Sequence, residues 1–442
     1  MENKKKNNLP VAIIGAGPIG LAAAAHLAQR EIPFLLFEGG SSVANNILSW
    51  QHIRVFSPWR YNIDKAAEAL LLQNNWTAPN KDALPTGKEL VEDYFRPLAE
   101  HPLIAPYVHL NAKVLSVGRK GLDKMKTAGR EKKPFSIKVK ENGVIKYYEA
   151  KAVLDSSGTW NQPNPIGSGG VAAEGEQALK EHIYYGIPDV KQKALNRYKN
   201  KRVLVVGGGH SATNVLLDLA DIQKDYPATK ISWILRKKDI TTVYGGKEDD
   251  ALEARGALGI RIEKLVNSGQ LEVFTPFHIL KLTQDSQGIQ IEGDLNGRLK
   301  TITGIDEIIS NTGSRPNLDM IREIRADLDS SLESVFDLAE LIDPNIHSCG
   351  TVRPHGEKEL RHPEENFYIV GSKSYGRAPT FLMATGYEQV RSIIAYLDGD
   401  TEAAERVELN LPQTGVCSSN IGTIGDAGCC VPTEEENTQG CC

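Results

Sequence analysis

The chain has 442 residues, 40% hydrophobic and 24% charged, and its 51 basic and 56 acidic residues leave a formal net charge of −5. That length is long for one domain and suits two or three, and so even a balance of charge offers no basic field to hold nucleic acid. No apolar run reaches membrane-spanning length, and the lysine-rich residues 1–8 lead into an apolar stretch broken by Gly15, Gly17 and Pro18, not into a signal-peptide core. A cytoplasmic protein without membrane contact is expected.

The first element is the apolar run Val11-Ala12-Ile13-Ile14, which enters Gly15-Ala16-Gly17-Pro18-Ile19-Gly20 and opens a helix. Gly15 permits the tight turn, Gly17 removes a Cβ so that backbone can approach a pyrophosphate, and Gly20 lets helix and strand pack closely. Glu38 closes the next strand, Phe34-Leu35-Leu36-Phe37. A carboxylate there accepts hydrogen bonds from a ribose diol and repels a 2′-phosphate, which suits FAD. Residues 50–100 hold a helical stretch, with Thr86 and Glu89 spaced as a capping box. Two alternating strands, 135–140 and 144–149, flank Asn142-Gly143 and predict a hairpin within an insertion at 115–150. The strand Ala152-Val153-Leu154 then runs into Asp155-Ser156-Ser157-Gly158-Thr159-Trp160, which reads as a crossover between domains.

The same sequence of events recurs. Residues 203–206 enter Gly207-Gly208-Gly209-His210-Ser211-Ala212, and the following strand, 231–235, ends in Arg236-Lys237-Lys238 with no acid at its tip. Cations at that point favour a 2′-phosphate, so NADPH is expected over NADH. Ile308-Ile309-Ser310 leads into Asn311-Thr312-Gly313, and Phe367-Tyr368-Ile369-Val370 into Gly371-Ser372 before a helix at 385–397. One such turn is a weak signal; two in strand–turn–helix context imply two dinucleotides in one molecule. The expected fold class is α/β with two Rossmann-like domains, for FAD (9–165 and 345–400) and NADPH (200–315), the second inserted in the first, plus a flexible Cys-rich tail at 410–442.

The paired turns, Ser157-Gly158-Thr159-Trp160-Asn161-Gln162-Pro163, Thr312-Gly313-Ser314-Arg315-Pro316-Asn317 and Ile369-Val370-Gly371 together resemble the class B flavin-containing monooxygenases over residues 9–400. The resemblance implies that Ser157-Gly158 and Thr312-Gly313 are the crossovers and that Gly371 lies against the flavin ribityl chain. The cofactor-binding set is then Gly15, Gly17, Pro18, Ile19, Gly20, Glu38, Val114, Ser157, Gly158 and Gly371 for FAD. For NADPH it is Gly207, Gly209, His210, Ser211, Ala212, Arg236, Lys237, Thr312 and Gly313. Two departures stand out: Ser372 replaces a usual Asp, and His182-Ile183-Tyr184-Tyr185 only faintly follows the fingerprint of Baeyer–Villiger enzymes.

All six cysteines lie at or after Cys349, so neither glycine turn carries the redox pair of a flavin disulfide reductase. Five of the six follow Pro412: Cys417, Cys429, Cys430, Cys441 and Cys442. Adjacent thiolates on a mobile tail suit capture of a soft, thiophilic ion. The segments around Cys349, Ser374-Tyr375-Gly376-Arg377 and Thr414-Gly415-Val416-Cys417 resemble flavoprotein monooxygenases found with bacterial arsenic-resistance genes. That resemblance implies NADPH-driven oxidation of trivalent arsenic or antimony by O2 through a flavin C4a-hydroperoxide. Cys349, His52 and Arg54 are the catalytic candidates, with Gln51 and Trp59 also expected near the ring, and the six cysteines would collect the metalloid. A mercuric-reductase-like metal reductase and an N- or S-monooxygenase of a small organic nucleophile remain open, as does a homodimer.

Overall fold

The structure, a computed structural model, describes residues 9–250, 252–346, 355–379 and 381–409. The first strand, β1 (Val11–Ile14), is buried at every position, as a parallel strand covered on both faces must be. Gly15 turns the chain at φ +98°, where L side chains are strained, and Pro18 opens α1 (Pro18–Gln29) at a position that needs no N–H donor. The alanines at 22–25 are fully buried, so α1 lies close on the sheet. After β2 (Phe34–Phe37) comes α2 (Lys65–Gln73), capped by Asp64, whose carboxylate accepts from Ala67 N–H at 3.0 Å and also pairs with His26 of α1 at 3.1 Å. Residues 51–64 are largely irregular, so the helical stretch expected within 50–100 is interrupted. The capping box forms: Thr86 Oγ1 accepts from Glu89 N–H at 3.2 Å and Glu89 Oε2 accepts from Thr86 N–H at 2.6 Å.

Beyond β3 (Val108–His109), the strands β4 (Ala112–Arg119), β5 (Phe135–Glu141) and β6 (Val144–Ala150) make an antiparallel sheet. It begins at Ala112, earlier than the expected insertion, because Ala112 already pairs with Glu141 at the end of β5. Its hairpin turns on Asn142 (φ +48°) and Gly143 (φ +86°), the two left-handed residues a two-residue turn requires. Then β7 (Ala152–Asp155) pairs with β1.

The second half repeats the plan. It comprises β8 (Ile183–Tyr185), β9 (Arg202–Val206), α3 (His210–Asp225), β10 (Lys230–Ile234), α4 (Glu253–Asn267) and β11 (Leu271–Phe274). An antiparallel sheet of β12 (Phe277–Asp285), β13 (Gly288–Leu295) and β14 (Arg298–Ile305) precedes β15 (Glu307–Ser310). The chain then returns to the first sheet as β16 (Phe367–Ile369) and ends its described part with α5 (Met383–Leu397) and a short helix. The parallel orders correspond strand for strand, β3-β2-β1-β7-β16 and β11-β10-β9-β15-β8. The fold is therefore α/β, with one Rossmann-like half inserted in the other. Residues 410–442, expected as a flexible tail, lie outside the described residues.

The two segments joining the halves run side by side. Asn164 N–H donates to the Gly313 carbonyl at 2.9 Å, Thr312 Oγ1 to the Asn164 carbonyl at 2.6 Å, and Arg315 N–H to the Gln162 carbonyl at 2.9 Å. Among the described residues no helix is long and apolar enough to cross a membrane.

Candidate functional site

Three loops meet at the carboxyl end of the first sheet, where ligands of open α/β folds bind. A Cβ on Gly15 would lie 2.9 Å from the Ser156 carbonyl oxygen, and one on Gly20 would lie 1.9 Å from that of Gly15, whereas one on Gly17 would meet nothing within 4 Å. Gly17 therefore borders open space at the start of α1, the room and polarity a diphosphate needs. Glu38 is fixed beside it, accepting from Ala16 N–H at 2.9 Å and Gly40 N–H at 2.8 Å. Each carboxylate oxygen keeps acceptor capacity for a ribose diol. The crossover at Ser157-Gly158 faces the late loop: a Cβ on Gly158 would lie 3.5 Å from Ser372 Oγ, and Gly371 (φ +70°) abuts Ile19. The Val114 side chain is buried in the core opposite Val139, so any ligand would meet its main chain.

Lys373 and Asp155, both almost wholly buried, staple two of these loops together. Lys373 Nζ donates to Asp155 Oδ2 at 2.7 Å and to Ser157 Oγ at 3.1 Å, while Ser157 Oγ donates to Asp155 Oδ1 at 2.6 Å. Neither residue stood out in the sequence, although an acid closing an apolar strand, as Glu38 closes β2, was a usable signal.

The second sheet carries a cavity of about 580 Å3 at the same end, lined by Gly207, Gly209, His210, Ser211, Arg236, Lys237, Asn311, Thr312 and Gly313 among others. Gly207 turns at φ +132° with room for no Cβ, since the Asn311 carbonyl oxygen would lie 2.2 Å away, while Gly209, like Gly17, faces open space. Arg236 has an exposed side chain and no ion-pair partner among the described residues, as a phosphate-binding cation requires. Ala212 lies off this cavity, fully buried, so its side chain serves helix–sheet packing and not ligand contact.

A smaller, mostly apolar cavity of about 340 Å3 opens between the halves, walled by Trp50, Phe56, Trp160, Phe381 and Met383, with Arg54, Ser57, Asn62, His210, Ser211 and Asn214 among its polar members. It shares Trp160, His210 and Ser211 with the larger one. The His210 ring sits 5.2 Å from that of Phe56. Burial, helped by the Arg255 charge and opposed by Asp250, lowers its pKa, so the imidazole is neutral at physiological pH.

Of the described residues expected near the ring, Arg54 alone lines this cavity, and its guanidinium donates to the Leu84 carbonyl and pairs with Glu89 at 4.0 Å. His52 is corrected: it turns toward the Pro188 carbonyl, Asp189 and Asp218 of the inserted half, its Nε2 buried without a partner and its pKa lowered chiefly by burial. Trp59 is a core residue. Gln51 does not line the cavity. Cys349, Cys417, Cys429, Cys430, Cys441 and Cys442 lie outside the described residues. Among those described, no cluster of His, Cys, Asp or Glu could hold a metal ion.

The chain is similar to ferredoxin–NADP reductase of Thermus thermophilus, 27% identical over 63% of this chain and 64% of that protein, so it covers less than two thirds of that relative's length. It is similar to a probable indole-3-pyruvate monooxygenase of Arabidopsis thaliana, 28% identical over 48% of this chain and 44% of that one. In fold it resembles the bacillithiol disulfide reductase of Bacillus cereus (TM-score 0.66, 19% identity, covering 88% of this chain and 99% of the other). The ornithine hydroxylase of Pseudomonas aeruginosa is a further structural likeness (TM-score 0.56, 17% identity, 88% and 99% covered). The model of the pyridine nucleotide-disulphide oxidoreductases matches residues 12–341. With two glycine turns, an acid closing one second strand and cations closing the other, the chain belongs to the pyridine nucleotide-disulphide oxidoreductase family and binds FAD and NADP(H).

Proposed function

We propose that the chain is an NADPH-dependent monooxygenase that transfers one oxygen atom of O2 to a trivalent arsenic or antimony species, giving the pentavalent form. The observation that carries this reading is the junction at Trp160, His210 and Ser211, where a glycine-lined cavity meets a smaller one walled by aromatic side chains. NADPH supplies two electrons, one oxygen atom goes to the substrate, and the other leaves as water. FAD supplies the oxygen activation when bound. The chain's own share is position and dryness: Trp50, Phe56, Trp160, Phe381 and Met383 keep water from the reacting centre, and neutral His210 adds no charge that would draw it in.

Transfer of electrons to a disulfide or metal ion through a cysteine pair is disfavoured, because no cysteine precedes Cys349. The metalloid is favoured by the thiols gathered after Pro412, since thiolates prefer soft acceptors. The named activity of the Arabidopsis relative supports the monooxygenase class. A second reading, oxygenation of nitrogen or sulfur in a small organic molecule, draws on the apolar lining of the smaller cavity. A cytoplasmic enzyme goes with either.

The test is NADPH consumption and O2 uptake by the FAD-loaded protein with arsenite, methylarsenite, antimonite or an organic sulfide. Metalloid-dependent turnover with one pentavalent product per NADPH is expected. Turnover with the sulfide alone transfers the assignment to the second reading, and anaerobic turnover overturns oxygenation altogether.

A further inference from the structure

Asn311 stands where the chain leaves β15, and it lines the larger cavity. Its main-chain N–H donates to the Val206 carbonyl at 2.7 Å, and its side-chain Nδ2 donates to the Gly186 carbonyl at 2.7 Å. A carbonyl only accepts, so the nitrogen must face Gly186 and Oδ1 must face the other way. That Oδ1 is buried and has no hydrogen-bond partner in the protein. Its surroundings are held firmly: Gly186 N–H donates to the Ser310 carbonyl at 3.0 Å, and Trp233 Nε1 donates to the Gly207 carbonyl at 2.7 Å. A buried acceptor left without a donor costs folding free energy, and few native groups bear that without a reason.

NADP(H) can supply the missing donor. Its phosphates offer acceptors, whereas donors come from the ribose hydroxyls, the adenine amine and the nicotinamide carboxamide. Asn311 is tied through Gly186 to the end of the cavity that meets the apolar one: a Cβ on Gly186 would lie 3.4 Å from Cζ2 of Trp160, a residue both cavities share. The nicotinamide must reach that junction to pass a hydride, while the opposite end carries Arg236 and Lys237. We propose that Asn311 Oδ1 accepts a hydrogen bond from the nicotinamide carboxamide and so positions the ring at the junction. This depends on NADP(H) binding and not on which substrate is oxidised.

The experiment measures equilibrium dissociation constants on the FAD-loaded protein for NADP+, 2′,5′-ADP and 3-acetylpyridine adenine dinucleotide phosphate, in which a methyl ketone replaces the carboxamide. The unaltered protein should bind the acetylpyridine analogue about tenfold more weakly than NADP+, the expected loss when a buried acceptor loses its donor. Asn311→Leu should weaken NADP+ by a similar factor and leave both the analogue and 2′,5′-ADP as in the unaltered protein. Equal binding of NADP+ and the analogue by the unaltered protein overturns the proposal, and this arm needs no variant to fold. Equal weakening of NADP+ and the analogue by Asn311→Leu also overturns it, because the hydrogen bond would then come from a ribose hydroxyl.

Discussion

The two nucleotide-binding halves share strand order, turn geometry and an antiparallel sheet, and they part company in a few residues at the strand ends. Gly17 and Gly209 both face open space, and Gly15 and Gly207 both turn at positive φ. At the third glycine position the halves diverge, with Gly20 in one and fully buried Ala212 in the other. In the first half the turn itself bars a side chain there, since a Cβ on Gly20 would lie 1.9 Å from the Gly15 carbonyl oxygen, and the crossover adds to the crowding. Ser156 Oγ fills the space over the first turn, donating to the Ile14 and Gly15 carbonyls at 2.8 and 2.9 Å, and a Cβ on Gly20 would lie 2.8 Å from it. In the second half the Asn311 side chain turns away toward Gly186. The halves also differ in enclosure. The first takes its wall from the returning segment around Gly371 and Lys373, whereas Asn311 comes from within the second half itself. Fold therefore sets where a dinucleotide goes, and a few side chains set which one.

The sharpest way to break the comparison is at the open glycines. Gly17→Val should give a folded but colourless protein, because the new side chain meets no protein atom yet fills the diphosphate space. Gly209→Val should stay yellow and resist bleaching by NADPH. The reverse pattern in absorption spectra would mean the two sites have been interchanged. Next in size is Lys373→Met, which leaves Asp155 as an uncompensated buried charge and should lower stability by about 3–5 kcal/mol in thermal or denaturant melts. Because the staple ties the first half, NADP+ affinity should hold, and Lys373→Met/Asp155→Asn should regain most of the loss. A double variant as unstable as the single would place the damage elsewhere.

A smaller effect follows from His362, whose pKa burial lowers to about 4. Below pH 6.5 the unfolded chain binds a proton that the folded chain refuses until about pH 4. Stability is thus intact above pH 6.5 and falls by roughly 3 kcal/mol as pH drops through that window. His362→Gln should flatten part of this slope in melts at stepped pH, and an unchanged slope would clear His362 of the role. The smallest expected change is at the ribose tips: Arg236→Ala should raise the KM for NADPH about tenfold and leave NADH unchanged, as loss of a charged contact to the 2′-phosphate predicts. Equal shifts for both cofactors would remove Arg236 from that contact.

What the sequence revealed was local. The glycine turns, the Thr86–Glu89 box and the Asn142-Gly143 hairpin are fixed by neighbours a few residues away, so spacing alone disclosed them. The walls of the apolar cavity were hidden because Trp50, Trp160 and Phe381 meet only in the folded chain, and aromatic residues in irregular segments have no periodicity to betray them. His52 misled for the same reason: proximity in sequence to the first domain said nothing of its turn toward Pro188 in the inserted half. Lys373 and Asp155 are far apart in the chain, and no local pattern pairs them. The unpartnered Oδ1 of Asn311 became visible only once the partners of its neighbours had been accounted for.

The paired linkers carry a mechanical consequence. Two ribbons bonded edge to edge through Asn164, Thr312, Gly313 and Arg315, with Ser314 Oγ donating to Thr159 Oγ1 at 2.8 Å, cannot slide or splay independently. They behave as the leaves of one strap hinge, stiff against twist and shear and compliant only about the axis across them. A swing of the inserted half would have to carry both linkers together, and the junction beside Trp160 with them.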